Sequence, residues 1–137
     1  MNIAIINGPN LNLLGTREPA IYGSQNFEQY LQELKALFPA VQFHYFQSNI
    51  EGELINEIQR IGFTYDGIIL NPGGYTHTSV ALGDTIATIT TPVIEVHISN
   101  IFGREEFRKL SHISAKAKGV ISCLGLKGYA LAVNNFL

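Results

Sequence analysis

Cysteine, charge and long apolar runs are all scarce in this chain of 137 residues. Its single cysteine, Cys123, excludes an internal disulfide and any cysteine cluster for zinc. The formal net charge is −2, so there is no basic excess to neutralise phosphates, which argues against nucleic acid as the main partner. No apolar run approaches the roughly 18 residues needed to span a membrane. The chain starts directly with a strand pattern, without an apparent signal peptide, and we expect a cytoplasmic protein.

What the sequence does contain fits one globular domain. Hydrophobic residues make up 46% of the chain and charged residues 15%, which is ordinary for a protein with a packed core. The length leaves little room for a second domain, and no repeat, low-complexity tract or linker interrupts it. We therefore expect residues 1–137 to form a single domain.

Strand and helix patterns alternate along the chain. Short apolar runs predict strands at 2–7, 41–48, 67–71, 92–99 and 119–125. Helical periodicity predicts helices at 24–38, with Ser24 as N-cap, and at 51–61, 79–90 and 127–136, with a shorter helix at 104–109. Five such units predict an α/β protein with a flavodoxin-like, doubly wound five-stranded parallel sheet, in the order 2-1-3-4-5 with helices on both faces. Cys123 would lie in a buried strand as a small apolar filler.

The segment between the first strand and the first helix is too long for a plain connection. Sixteen residues, GPNLNLLGTREPAIYG, stand where about 2 to 6 are usual, and long loops of this kind tend to be functional or disordered. Its leucines, together with Ile21 and Tyr22, favour burial, which is not typical of a disordered linker. Asn10, Arg17 and Glu18 have side chains that can take part in chemistry. The segment therefore predicts an active-site lid.

Polar residues follow three strands at the edge where this fold binds ligands. In the order 2-1-3-4-5 the topological switch point lies between strands one and three, and ligands sit outside the carboxyl ends of the strands. Strand one ends in NGPN, strand three in NPGGYTH, and strand four carries Glu95, His97 and Ser99. We predict a site where these three strand ends converge.

Two pairs within these segments could perform acid–base chemistry. Glu95 and His97 share one face of a strand, so the carboxylate can fix the imidazole tautomer and make the histidine a general acid or base. The alternative is a structural pair that satisfies itself within the sheet. Arg17 near Tyr22 would favour the phenolate, which is a base. The spacing alone favours the alternative that Tyr22 packs and Arg17 pairs with Glu18.

Other motifs leave ligand binding and ordinary structure both open. The segment NPGGYTHTS matches neither the phosphate-loop motif nor GxGxxG, which argues against a nucleotide-binding site. A binding site for a carboxylate or a hydroxylated small molecule is left open. A plain strand–turn–helix connection capped by Thr78 or Ser79 is the alternative. Asn10 could stabilise an oxyanion or simply form a turn. Arg104 and Arg108 share a helix face and could hold an anion or lie in solvent.

Segments that cover nearly the whole chain resemble the type II 3-dehydroquinate dehydratases of the shikimate pathway. They are NGPNLNLLGTREPAIYG, SNIEGELI, NPGGYTHTSVALGD, PVIEVHISNIFGREEFR and GVISCLGLKGYALAV. The resemblance implies a hydro-lyase that converts 3-dehydroquinate to 3-dehydroshikimate by anti elimination through an enolate, with no metal, cofactor or Schiff-base lysine. It implies a single catalytic domain that assembles into a homododecamer, a tetramer of trimers. Aromatic biosynthesis and quinate breakdown both use this reaction, and the sequence leaves that choice open.

The resemblance also implies roles for individual residues. Tyr22 is the base that takes the C2 proton, Arg17 favours its phenolate and orders the lid, and Asn10 helps hold a water that stabilises the enolate. His97, oriented by Glu95, protonates the departing C1 hydroxyl. The residues that would bind substrate are Asn71, His77 and Arg108 at the ring hydroxyls, the backbone of Ile98 and the hydroxyl of Ser99 at the carboxylate, and Asp84 from a neighbouring subunit.

Departures from the family pattern are few. Gly83 stands where some members carry a larger polar residue, and Cys123 stands where glycine is common. A catalytically silent binding module on the same fold is the competing hypothesis, and it would have no need of Tyr22, Arg17 and the Glu95–His97 pair together. A response-regulator domain would need acidic residues after strand one, and a flavodoxin a hydroxyl-rich phosphate loop, neither of which NGPNLNLLG supplies.

Overall fold

A computed structural model gives the protein's structure at residues 1–16, 20 and 24–137. Within these residues the backbone forms one five-stranded parallel sheet in the order β2-β1-β3-β4-β5. The strands are β1 (Asn2–Asn7), β2 (Gln42–Gln47), β3 (Gly67–Asn71), β4 (Val93–His97) and β5 (Gly119–Ser122). The predicted fold class and strand order are confirmed.

The three central strands are almost entirely buried, as parallel strands covered on both faces must be. Every residue of β3 and β4 is buried, as is β1 after its first residue. Because both faces are covered, these strands read as continuous runs such as GIIL rather than as an alternation of polar and apolar residues. The edge strands β2 and β5 are only half-buried. The polar residues that end the central strands therefore stand out from their apolar neighbours.

Helices cover both faces of the sheet. They are α1 (Phe27–Leu37), α2 (Glu51–Ile61), α3 (Val80–Thr88) and α4 (Lys127–Phe136). The apolar stripes of α1 and α4 pack on the face that carries Ile3, Ile5 and Ile69. Those of α2 and α3 pack on the opposite face, against Ile68 and Leu70. This arrangement follows from right-handed crossovers running outwards in both directions from β1 and β3.

Two helix starts are set by polar side chains. Asn26 caps α1 in a reciprocal capping box: its Oδ1 accepts from the backbone N–H of Gln29 at 2.8 Å, while its own N–H donates to Gln29 Oε1 at 3.2 Å. The predicted cap at Ser24 is therefore wrong. Ser79 caps α3 by accepting from the N–H of Leu82 at 2.9 Å, as one of the two sequence alternatives had it.

The segments after β4 and β5 differ most from the prediction. In place of one helix at 104–109 there are short 3-10 helices at Ile101–Gly103 and Glu106–Lys109. Strand β5 ends at Ser122, and Cys123 is exposed with φ of +74°, in a turn whose N–H groups donate to carbonyls at the end of β4. The prediction that Cys123 fills a buried strand is wrong, because β5 is a short edge strand.

No helix in the described ranges is long and apolar enough to cross a bilayer.

Candidate active site

A cleft opens at the carboxyl ends of β1, β3 and β4. The polar side chains at its wall come from the turn after β1 (Asn10), from β3 and the 3-10 helix that follows it (Asn71 and His77), from the end of β4 (His97 and Ser99), and from the segment beyond (Arg104 and Arg108). The convergence of three strand ends at the switch point, predicted from strand order, is present in the structure.

His97 and Glu95 form a buried pair at one wall of the cleft. His97 Nε2 lies 2.5 Å from Glu95 Oε2, and their side chains are 5% and 0% exposed. The other carboxylate oxygen accepts from the hydroxyls of Ser114 at 2.9 Å and Ser111 at 3.1 Å. These contacts fix both oxygens of Glu95 and assign Nε2–H of His97 to the carboxylate. Nδ1 is therefore the nitrogen of His97 that is left for a ligand.

The environment of Glu95 keeps its carboxyl group ionised. Burial by itself would raise the pKa of Glu95, but the hydrogen bond and the charge of His97, with the two serine hydroxyls, outweigh burial and hold the pKa below its usual value. The ionised carboxylate accepts from Nε2–H of His97 and so fixes the tautomer and the orientation of the ring. Nδ1 of His97 is thereby positioned to exchange a proton with a bound molecule.

His77 faces the same cleft as a neutral ring. Burial lowers its pKa, and the nearby His97 and Arg108 lower it further, against a hydrogen bond to the carbonyl of Leu110. That carbonyl lies 2.6 Å from Nδ1 and can only accept, so Nδ1 carries the proton. Nε2 of His77 is then an acceptor for a ligand hydroxyl. The ring lies nearly parallel to that of His97, with centroids 6.4 Å apart.

Asn71, at the floor of the cleft, is held by one residue near it in sequence, Gly73, and by one that is 58 positions away, Tyr129. Its Nδ2 donates to the hydroxyl of Tyr129 at 3.0 Å, and its Oδ1 accepts from the N–H of Gly73 at 3.2 Å. Tyr129 is fully buried and donates to Oδ1 of Asn7 at 2.8 Å. Asn7 and Asn71 are register partners on β1 and β3. The floor of the cleft is therefore a chain of paired polar groups.

The turn after β1 carries strained backbone at Asn10. Its φ is +70°, a left-handed value that is uncommon for residues with a Cβ, and its N–H donates to Asn49 Oδ1 at 3.0 Å. Gly8 is required just before it, because a Cβ there would lie 2.4 Å from the carbonyl oxygen of Pro72. Tight packing of the β1 and β3 turns thus brings Asn10 to the cleft.

The remaining wall combines polar backbone with two arginines. Ser99 Oγ accepts from Arg104 at 3.4 Å. The guanidinium of Arg108 is paired with Glu105 and lies 5.0 Å above the ring of Phe107. Positive charge next to a hydroxyl at the end of a strand suits a carboxylate ligand.

Two predicted residues that the structure describes, Asp84 and Glu95, are not among those that line the cleft. Asp84 is exposed on α3, and Glu95 is fully buried next to His97. Tyr22, the predicted base, and Arg17, its predicted partner, lie outside the described residues. Within those ranges, no group of three or more histidine, cysteine, aspartate and glutamate side chains is placed to hold a metal ion.

A sequence model described as dehydroquinase class II matches residues 1–137. The chain belongs to the class II dehydroquinase family. It is 50% identical over 139 residues to the 3-dehydroquinate dehydratase of Fusobacterium nucleatum, covering 97% of this chain and 94% of that protein. It is 48% identical over 139 residues to the enzyme of the same name from Prochlorococcus marinus strain NATL1A, covering 100% and 96%. The predicted family is confirmed.

The fold is shared with solved class II dehydroquinases. The crystal structure of type II dehydroquinase from Butyrivibrio crossotus superposes with a TM-score of 0.95, at 44% identity, over 99% of this chain and 97% of that one. The arrangement of strands described above is therefore that of the family.

Several supporting residues of this dehydroquinase were missed from sequence. Ser111, Ser114, Asn49 and Tyr129 contact predicted site residues that lie 16 to 58 positions away. No local pattern connects residues at such separations, since only the folded sheet brings them together.

Gly83, one of the departures from the family pattern, has a clear packing role. A Cβ at this position would lie 2.3 Å from the carbonyl oxygen of His112. His112 in turn donates its N–H to the carbonyl of Thr76 at 2.9 Å. Glycine therefore lets the segment that carries Ser111 approach α3 closely.

Proposed function

We propose that the protein is a hydro-lyase that dehydrates 3-dehydroquinate to 3-dehydroshikimate, with the whole chain as its catalytic domain. The observation that carries this proposal is the cleft itself, in which the buried His97–Glu95 pair faces His77 and Asn71 in a chain of the class II dehydroquinase family. In the reaction the C2–H bond breaks, its electrons form an enolate, and collapse of the enolate breaks the C1–O bond and releases water.

His97 supplies the proton that the leaving hydroxyl requires. Glu95 holds Nε2–H, so that the proposed acid is Nδ1–H of the protonated ring, which reaches the C1 oxygen. After proton transfer the ring is neutral and still bonded to Glu95, so it is ready to be protonated again. Glu95 is thus a positioning residue that acts through His97.

The ring hydroxyls of the substrate are bound by groups that complement one another. His77 offers an acceptor at Nε2, since its Nδ1–H is bonded to Leu110. Asn71 retains one amide N–H and one oxygen lone pair beyond its bonds to Tyr129 and Gly73. Arg108, which also lines the cleft, adds donors. Together these side chains can distinguish one ring hydroxyl of the substrate from another, because each hydroxyl must donate to an acceptor or accept from a donor at a fixed place.

The carboxylate of the substrate is assigned to the end of β4. The backbone of Ile98 and the hydroxyl of Ser99 lie there, with Arg104 within 3.4 Å of Ser99. Asn10 lies across the cleft and is proposed to hold a water at the developing enolate oxygen, in the manner of an oxyanion hole.

Tyr22 is proposed as the base that removes the C2 proton, with Arg17 favouring its phenolate. Both lie outside the described residues, and their roles rest on the resemblance of the segment NGPNLNLLGTREPAIYG to the family. Closure of this segment over the cleft would exclude water from the enolate.

We also propose a dodecamer, a tetramer of trimers, located in the cytoplasm. Asp84 and Val80 lie four residues apart on one face of α3, and both are exposed, with Val80 58% exposed. A neighbouring subunit would cover this apolar position and place Asp84 at the neighbour's cleft. Light scattering after size exclusion tests the assembly, and cell fractionation tests the location.

The first test is turnover without additions. The purified protein is mixed with 3-dehydroquinate, with no metal or cofactor, and the ultraviolet absorbance of the conjugated enone product is followed. A rise that survives chelator and borohydride supports the proposal and excludes a Schiff base on lysine. A folded protein that gives no rise contradicts it and returns the silent binding module to consideration.

Replacing Tyr22 by phenylalanine tests the base. We expect Y22F to lose turnover by about a hundredfold to ten-thousandfold while it still binds substrate, because only the proton acceptor is removed. Isothermal titration measures binding and the absorbance assay measures turnover. The control is Y65F, at the opposite end of the sheet from the cleft, which should behave as wild type. Retained turnover in Y22F would rule out Tyr22 as the base.

A further inference from the structure

A buried chain of hydrogen bonds lies directly beneath the cleft, on the face of the sheet that packs against α1 and α4. It runs in one direction. Asn71 Nδ2 donates to the Tyr129 hydroxyl at 3.0 Å, that hydroxyl donates to Asn7 Oδ1 at 2.8 Å, and Asn7 Nδ2 donates to the Tyr45 hydroxyl at 3.4 Å. Only Asn71 reaches the cleft.

The direction of this chain fixes how the amide of Asn71 is turned. A phenol has one proton, and Tyr129 gives its proton to Asn7, so toward Asn71 it can only accept. The NH₂ group of Asn71 must therefore point at Tyr129. Its oxygen is left facing the N–H of Gly73. A flipped amide would set an oxygen against an oxygen lone pair in a site that water does not reach.

Tyr129 is suited to hold this orientation because it is fully buried, packed against other aromatic rings, and kept in its neutral form by burial. It is 0% exposed, and its ring packs edge-on against Phe27 with centroids 4.9 Å apart. Phe27 in turn stacks on Tyr45 at 4.8 Å, so the two hydroxyls at either side of Asn7 are held by one aromatic cluster. Burial raises the pKa of Tyr129, so its proton stays in place for Asn7.

We propose that Tyr129 is a positioning residue for substrate binding, which acts through Asn71 by fixing the orientation of its amide at the floor of the cleft. The inference rests on the proposed function, because the bound groups are the ring hydroxyls of 3-dehydroquinate. A binding contact made equally to substrate and transition state changes KM and not kcat. A residue that serves only the core would change stability and neither constant.

The test compares phenylalanine variants of three tyrosines from the same cluster. Y129F removes the hydroxyl bonded to Asn71. Y45F removes the hydroxyl at the far end of the chain. Y30F is the matched control, because Tyr30 is 6% exposed, its ring centroid lies 6.3 Å from that of Tyr129, and the described hydrogen-bond chain does not pass through it.

We expect KM to rise about threefold to tenfold in Y129F, the range for loss of one neutral hydrogen bond, with kcat within about twofold of wild type. The rise should be smaller in Y45F and absent in Y30F. Thermal unfolding of each variant reports stability separately. If Y129F fails to fold, the KM of Y45F provides the test, because the ring of Tyr45 is half-buried and its replacement should destabilise the protein less. KM in Y45F equal to that in Y30F would then overturn the inference.

A double-mutant cycle with N71A shows whether Tyr129 acts through Asn71. If it does, Y129F should change KM little once Asn71 is alanine, and the two single effects should not add. Additive effects, or a Y129F enzyme with the KM of Y30F, would overturn the positioning role and leave the proposed function intact. A wild-type protein without turnover would overturn the proposed function and this role with it.

Discussion

Two histidine–glutamate pairs of similar geometry occur within the part of the chain that the structure describes, and one of them lies at the cleft. His97 and Glu95 on β4 are 2.5 Å apart, and His44 on β2 and Glu57 on α2 are 2.8 Å apart. The first pair has side chains 5% and 0% exposed, whereas those of the second are 31% and 12% exposed. Distance alone therefore does not distinguish the pair at the cleft from the pair on β2 and α2.

The neighbours of each carboxylate make the difference. Glu57 also accepts from the guanidinium of Arg60, and that hydrogen bond is the main cause that lowers the pKa of Glu57. Arginine is permanently charged, so Glu57 has a cation whether or not His44 is protonated. The other described hydrogen-bond partners of Glu95 are neutral serine hydroxyls. Among the described residues, His97 is therefore the titratable partner of Glu95, whereas Glu57 also has a permanently charged one.

Removing each histidine should separate the pairs most clearly. We expect H97A to lower kcat by about a hundredfold to ten-thousandfold, since the leaving hydroxyl loses its acid. H44A, the matched change in the surface pair, should keep kcat within about twofold because His44 is remote from the cleft. Steady-state kinetics across pH provides the measurement. An H97A profile with the same pH dependence as wild type would remove the acid role from His97.

Replacing each glutamate by glutamine should give the next largest contrast. We expect E95Q to lower kcat about tenfold to a hundredfold, because the amide cannot stabilise the imidazolium of His97. E57Q should leave kcat unchanged, because Arg60 and solvent remain as partners for His44 when the carboxylate of Glu57 is removed. The same assay compares the two variants. Equal activities of E95Q and E57Q would show that burial of the pair has no catalytic consequence.

Acid unfolding should distinguish the pairs by their response to salt. Both glutamates have a pKa below the ordinary value of about 4.3, so each stabilises the fold above that pH, and the contribution is lost as pH falls through the folded pKa. Thermal unfolding between about pH 6 and pH 3 should show a smaller loss in each variant than in wild type. At about 1 M salt the difference should shrink more for E57Q than for E95Q, because Arg60 is 58% exposed and salt screens its attraction to Glu57. Loss of both differences would contradict the buried character of Glu95.

The smallest effect is expected from the serines behind Glu95. S114A removes a hydroxyl 2.9 Å from the carboxylate and should cost about 1 kcal/mol of unfolding free energy, with kcat lowered only about twofold to fivefold. S79A is the control for a serine that also forms a buried hydrogen bond but only caps α3. Both variants should lose stability, and only S114A should lose activity. Equal kinetics in the two would limit Ser114 to a structural role.

Much of the fold and of the cleft was predictable from local patterns. Apolar runs such as GIIL and helical stripes such as that of 51–61 depend on residues within a few positions, and the alternation of strands and helices indicates a parallel, doubly wound sheet. The pairing of Glu95 with His97 was also visible, because residues two apart on a strand share a face. The choice between neighbouring N-cap residues was not predicted correctly from local patterns, because Asn26, and not Ser24, caps α1.

The sequence by itself determined the central strands, the main helices and the ends of β1, β3 and β4 where polar residues gather, since each of these is encoded within short stretches. Only the tertiary structure decided which of two histidine–glutamate pairs is buried, and that Tyr129 reaches Asn71 across 58 positions. It also decided that Cys123 is exposed. Burial and long-range hydrogen bonds arise when the layers pack, and no stretch of sequence contains the neighbours that packing supplies.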